Sequence, residues 1–165
     1  MRVTLDTNVV LSGLDGKDGG VLATLRRLHE SGTIHIAVSS RALQDKHSDS
    51  DKQRMQRDLA AFVQLPRVAA PFRFDESYWD GHDVFCGEAD GRVGDALERI
   101  FGVVPSRMGK RKNQLRDVDH LTAHWMARRD VFLTNDQGIL DKATKLLQFG
   151  IRVMNPADFL KQHGP

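Results

Sequence analysis

Five aspartates stand where the local pattern can bring their carboxylates together. Asp6 directly follows the apolar run Val3-Thr4-Leu5, and Asp136 follows Val131-Phe132-Leu133 after two residues. Asp45 comes shortly after the run Ile34-His35-Ile36-Ala37-Val38, while Asp117 and Asp119 stand at the head of a helical stretch. Carboxylates held close together repel, and some must take up protons unless a cation intervenes. A hard divalent ion removes the conflict, because Mg²⁺ and Mn²⁺ prefer oxygen ligands and keep several of their waters. One or two such ions can orient a water, lower its pKa and stabilise charge on a phosphodiester during in-line displacement. No Ser-His-Asp arrangement, phosphate-binding glycine loop or zinc spacing competes with this chemistry.

Each acid also has an ordinary structural use. Aspartate after a strand makes turns and caps helices, and Asp45 alone reads as a solvated helix residue. The case therefore rests on whether the elements deliver all of them to one place.

Those elements alternate. Val3 to Leu5 reads as a strand, and Gly13, Gly16, Gly19 and Gly20 mark a loop. Val21, Leu22, Leu25 and Leu28 recur at helical spacing, and residues 34–38 form a second strand. Ser39 or Ser40 is expected to cap a short helix through Asp45. Ser50 is expected to cap another, with Met55, Leu59, Phe62 and Val63 on its apolar face. From Pro66 to Glu88 the pattern is irregular or weakly β. Val93, Ala96, Leu97, Ile100 and Phe101 restore a helical stripe, stopped by Gly102 and Pro105. The spacing then predicts a helix from Arg116 to Arg129 and a strand at 131–133. Ile139, Leu140, Ala143, Leu146 and Leu147 mark a helix ended by Gly150, a strand follows at 151–154, and Pro156 opens a last helix.

Strand–helix alternation of this kind predicts an α/β fold, a single domain over residues 1–165 with a central parallel sheet flanked by helices. Ligands of such sheets bind beyond the carboxyl ends of the strands. Asp6 and Asp136 land there, and Asp45 lies in the helix leaving that edge. Asp117 and Asp119 are expected at the N-terminus of a helix facing it. Helix N-termini at Asp119 and after Asp136 would favour anions by about 0.3–1 kcal/mol each.

Charge distribution adds a second feature. Net charge is only +2, yet Ser106 to Arg116 holds five cations (Arg107, Lys110, Arg111, Lys112 and Arg116) and no acid. This stretch abuts Asp117 and Asp119 and suits phosphate binding, which gives affinity without sequence choice. His120 and His124 share a helix face, but no third soft ligand accompanies them. Cys86 reads as a small hydrophobe. Tyr78, Trp79 and Phe85 are suited to stacking on bases but fit core packing or a dimer interface better, and Trp125 reads as core. The lone cysteine, the lack of secretory-leader features and the absence of a bilayer-length apolar run lead us to expect a reducing cytoplasm and no membrane span.

Four segments together resemble the PIN domain family. Val3-Thr4-Leu5-Asp6-Thr7-Asn8-Val9-Val10 is similar to its opening strand, and Asp119-His120-Leu121-Thr122-Ala123 to its third acidic motif. Leu133-Thr134-Asn135-Asp136 resembles its fourth motif, and Ser39-Ser40-Arg41-Ala42-Leu43-Gln44-Asp45 its second, with Asp45 where the family usually has Glu. The resemblance is strongest over residues 1–12 and 115–160. It implies a three-layer sandwich and a ribonuclease dependent on Mg²⁺ or Mn²⁺, with Asp6, Asp119 and Asp136 as metal ligands and Asp45 as a further catalytic acid. Asp117 is either an extra ligand or a helix cap. Asn8 and Thr134 are implied as supports for the carboxylates. Many family members are VapC-like toxins held silent by an antitoxin, so the resemblance implies RNA as substrate, an antitoxin partner and a homodimer. The alternative is a catalytically inactive PIN-like module that binds RNA or protein without metal.

Overall fold

A computed structural model describes residues 1–42, 51–73, 83–103 and 108–164, apart from the side chains of residues 108–112. Five short strands form the centre: β1 (Arg2–Leu5), β2 (His35–Ser39), β3 (Arg67–Val68), β4 (Val131–Leu133) and β5 (Val153–Met154). All pair in parallel, in the order β3-β2-β1-β4-β5. The chain builds outward from β1 to one side, then returns to β1's other side with β4. That reversal opens a crevice at the carboxyl end between β1 and β4, the place where open α/β sheets hold ligands.

Register brings the strand ends level. Leu5 is opposite both Val38 and Leu133, and the Asp6 N–H donates to the Leu133 carbonyl at 2.9 Å. Asp6, Ser39 and Thr134 therefore emerge side by side.

Helices cover both faces, giving three layers. On one face α1 (Thr7–Leu14), α2 (Val21–Glu30), α3 (Lys52–Val63) and α8 (Pro156–His163) pack over Val3, Leu5, Ile36, Val38, Val131 and Leu133. On the other, α4 (Glu88–Phe101), α5 (Met108–Met126), α6 (Gln137–Leu140) and α7 (Ala143–Leu147) enclose Phe132 and Val153. Phe132 faces away from Val131 and Leu133, as the two-residue period of a strand requires.

Several elements differ from the sequence expectation. The chain enters helix α1 at once after Asp6, whereas the glycines suggest only a loop. Gly13 lies inside α1, where a Cβ would come within 2.4 Å of Leu22 Cβ. Its role is close approach of α1 to α2. Asp51, one residue after the expected Ser50, caps α3 by accepting from the Gln53 and Arg54 N–H groups, and Val63 is largely exposed. Ser39 and Ser40 spend their hydroxyls on His120 and on Asp83 and the Ala70 N–H. The apolar face at 139–147 is split between α6 and α7.

The largest difference is α5, which begins at Met108 rather than Arg116. Lys110, Arg111, Lys112 and Gln114 are good helix formers, and no breaker separates them from the apolar residues that follow. The basic stretch is thus largely helix, and Asp117 and Asp119 lie well inside it. Neither caps this helix, and its N-terminal dipole, confined to the first turn, does not act on Asp119.

Candidate functional site

The level ends of β1 and β4 create the tightest polar cluster. Asp6 follows the last buried residue of β1, and its side chain is only 6% exposed. The Thr134 hydroxyl donates to Asp6 Oδ2 at 2.6 Å, and Asn8 Nδ2 donates to the same oxygen at 2.8 Å. Thr134 Oγ1 also accepts from Asn8 Nδ2 at 3.2 Å and from the Asp136 N–H at 2.9 Å. Asn8 Oδ1 accepts from the Asn135 N–H at 3.0 Å. Asn8 and Thr134 thus bind the turn after β4 to the turn after β1 and fix Asp6 between them.

Burial pushes the Asp6 pKa above the ordinary carboxylate value, and the nearby Asp136 charge adds to the rise. The His120 charge and the Thr134 hydrogen bond oppose it. Asp136 itself is exposed. It caps α6, its Oδ1 accepting from the Ile139 N–H at 3.2 Å. Asp6 and Asp136 are therefore neighbours at one sheet edge, and the capping use of Asp136 coexists with a place in the cluster.

Asp119 sits in a different environment. Its carboxyl is fully buried. Arg73 Nε donates to Oδ1 at 2.7 Å. Arg41, itself 1% exposed, places Nη2 3.0 Å from Oδ2 as an ion pair without hydrogen-bond alignment. Burial raises the Asp119 pKa, and the charges of Arg73 and then Arg41 oppose the rise. Arg41 also donates to the Pro71 carbonyl at 3.0 Å, and Arg73 to Glu98 at 3.0 Å. One carboxylate thereby joins the chain beyond β2, the chain beyond β3, and helices α4 and α5.

His120 lies between the two centres, its charge felt by both Asp6 and Asp119. It is buried, with Nδ1 2.7 Å from Ser39 Oγ. His124 is also buried, with Nδ1 2.9 Å from Thr4 Oγ1. The two histidines thus grip adjacent strands. Among the described residues, no three His, Cys, Asp or Glu side chains gather as a metal-holding group.

Other candidates fall elsewhere. Asp117 is half-buried on α5. Two residues along a helix turn about 200°, so Asp117 and Asp119 cannot share a face. Arg116 is half-buried on the same helix. Lys110, Arg111 and Lys112 lie in the first turns of α5, but their side chains are outside the described residues, as are Asp45, Arg107, Tyr78 and Trp79. Cys86 is exposed rather than packed away, and partial burial with Asp90 and Asp119 nearby raises its thiol pKa, which disfavours the thiolate. Phe85 is 69% exposed and rests on Phe72 with ring centroids 4.8 Å apart, so it is not core. Arg41 was visible in the sequence beside Ser39-Ser40, whereas nothing in the local pattern marks Arg73.

No family model matches this sequence, and no curated protein does. Among solved structures, the chain is similar to one in the crystal structure of VapBC2 from Rickettsia felis bound to a DNA fragment from their promoter. Identity is 14%, with 94% of this chain and 98% of that chain covered and a TM-score of 0.54. The likeness is one of fold. It extends over nearly the whole chain.

Proposed function

We propose that this chain is a nuclease dependent on Mg²⁺ or Mn²⁺ that cleaves RNA at the β1–β4 edge. The observation that carries the reading is Asp6: a buried carboxylate, bonded by the neutral groups Asn8 and Thr134, beside Asp136 at the switch point of a parallel sheet. Among the described residues such a pair makes no ion pair with Lys or Arg, and its oxygens suit a hard ion. Mg²⁺ commonly takes one or two protein carboxylates and completes its shell with water and substrate phosphate. Two acids therefore suffice, and Asp6 and Asp136 are the residues that would hold the ion. When bound, the ion supplies an activated water and neutralises charge on the phosphodiester.

The chain's own groups do the rest. Thr134 and Asn8 hold Asp6 in one orientation, which preserves the geometry between turnovers. The cations along Arg107–Arg116 supply phosphate affinity from the first part of α5 and the residues just before it. The four-segment resemblance to PIN domains and the fold shared with the VapBC2 structure support the reading, and with it a toxin role, silenced by an antitoxin protein and exercised as a homodimer in the cytoplasm. No helix among the described residues is long and apolar enough to cross a membrane.

One observation favours a second reading. Asp119 is already paired with arginines, which would suit a module that binds RNA without metal. A single experiment separates the two. Labelled single-stranded RNA is incubated with the protein and Mn²⁺, Mg²⁺ or chelator, alongside Asp6→Asn and Asp136→Asn. Cleavage that needs metal and is lost in both variants supports the nuclease. RNA retention without cleavage, unchanged by chelator, supports the module.

A further inference from the structure

Two buried acids, Asp6 and Asp119, have partners of different charge, and the difference bears on which of them can bind an ion. Among the described residues, the side chains that donate to Asp6 are neutral, Thr134 at 2.6 Å and Asn8 at 2.8 Å. Asp119 has two guanidinium groups, Arg73 at 2.7 Å and Arg41 at 3.0 Å. One carboxylate awaits a cation, and the other already has two.

We propose that Arg41 and Arg73 are the permanent counter-ions of Asp119, so that a divalent ion at this edge is held by Asp6 and Asp136 while Asp119 stays with the arginines. The inference rests on the metal reading above and narrows its ligand set.

The physical case begins with Arg41. Its side chain is 1% exposed and that of Asp119 is 0% exposed. Removing one partner of such a pair leaves an uncompensated charge in a medium that solvates it poorly, which is strongly unfavourable. An ion that took over Asp119 would leave Arg41 with Asp83, at 3.7 Å, as its remaining acid among the described residues, and Arg41 has no room to reach water. Arg41 is also fixed from behind, bonded to the Pro71 carbonyl and 3.7 Å from Asp83.

Arg73 reinforces the arrangement. Its side chain is 27% exposed, and it spans Asp119 on α5 and Glu98 on α4. Displacing it would loosen the α4–α5 pair as well as expose the guanidinium. A divalent ion touching Asp119 would meet two positive charges within hydrogen-bonding distance of the same carboxyl. At Asp6 and Asp136 no ion pair with Lys or Arg is made among the described residues, and the His120 charge alone reaches Asp6 from that set. Asp119 is thus a positioning residue: it holds Arg73, and through Arg41 the segment at Pro71, beside the ion's place.

The test follows the Arg73 Nε–H directly. Full-length ¹⁵N-labelled protein is titrated with Mg²⁺, and the arginine Nε–H signals are recorded by NMR, with Arg73→Lys used to assign the Arg73 signal. Calorimetry on the wild type and Asp6→Asn measures Mg²⁺ and Mn²⁺ binding in parallel. We expect one ion per chain, at least a tenfold loss of affinity in Asp6→Asn, and an Arg73 Nε–H signal that stays resolved and protected from water exchange at saturation. Collapse of that signal into the exchange-averaged region at saturating Mg²⁺, with binding still lost in Asp6→Asn, would overturn the proposal and leave the metal reading standing. Absence of Mg²⁺ or Mn²⁺ binding by the wild type overturns both.

Discussion

Replacing Thr134 with valine tests how the candidate site is held together. The change keeps the shape of the side chain and removes the hydroxyl. Three hydrogen bonds go with it: the donation to Asp6 at 2.6 Å and the acceptances from the Asp136 N–H at 2.9 Å and Asn8 at 3.2 Å. The first is bonded to a carboxylate, a class worth about 1.5–3 kcal/mol. The second is less costly, because Asp136 is exposed and water can replace the acceptor. Asn8 keeps its bond to Asp6. The sum is a loss of about 3 kcal/mol, which in a chain of this size lowers Tm by roughly 6–12 °C. Thr134→Ser keeps the hydroxyl and removes one methyl group, at a cost of about 1 kcal/mol. Urea denaturation in chelator at pH 7 measures both, and calorimetry with Mn²⁺ then reads the effect on binding. The valine variant should bind Mn²⁺ about tenfold more weakly, since Asp6 loses the bond that orients it. If valine lies within about 0.5 kcal/mol of wild type, or serine is as damaging as valine, the hydroxyl does not organise this edge and the argument for Asp6 fails.

Four further changes probe other parts of the structure. In metal-free protein Asp6→Asn should be neutral or stabilising, because burial already disfavours its charge, whereas Asp119→Asn should cost about 3 kcal/mol by removing a buried carboxylate from Arg41 and Arg73, which keep Asp83 and Glu98; thermal denaturation in chelator compares them. Burial holds the His124 pKa at about 4 against an ordinary 6.5. As pH falls through 6.5 the unfolded chain takes a proton that the folded chain refuses until about 4, so stability is lost as pH falls across that window, by about 2 kcal/mol between pH 7 and pH 5. Urea denaturation at those two pH values should show that this part of the loss is absent in His124→Gln. Gly13→Ala drives a Cβ to 2.4 Å from Leu22 and should destabilise by about 1–3 kcal/mol, read by the same denaturation series; a neutral result would mean that α1 and α2 are not packed so closely.

The strands and their carboxyl-edge acids were legible because short apolar runs bounded by polar turns survive any tertiary context. Asp6 and Asp136 could be placed from that pattern alone. Helix α1 was not, because Gly13 reads locally as a loop residue and serves instead as the contact point with Leu22, a neighbour fixed only by the fold. The start of α5 was hidden for the opposite reason. Lys110, Arg111 and Lys112 have strong helix propensity but no apolar period, so apolar spacing starts the helix late and puts Asp117 and Asp119 at its head. The arginines on Asp119 were beyond reach, since Arg73 meets it across 46 residues of sequence through a segment with no periodicity. The expectation at Asp45 lies outside the described residues.

Why one fold should settle two nearby acids by different means follows from where each sits. Asp6 follows a strand at the carboxyl edge, buried itself but beside the exposed Asp136, which is where the proposed function would have an ion arrive with its waters. Neutral donors such as Thr134 and Asn8 orient the carboxylate there without satisfying its charge. Asp119 lies within a helix against the sheet, fully buried, where an arriving ion would have to shed most of its water. Mg²⁺ dehydrates reluctantly. A guanidinium, weakly hydrated and planar, is the cation that such a place can hold, and two of them also tie the segments beyond β2 and β3 to α5. Both acids are buried, so it is the neutral donors around Asp6 and the guanidiniums around Asp119, more than depth, that set the two apart.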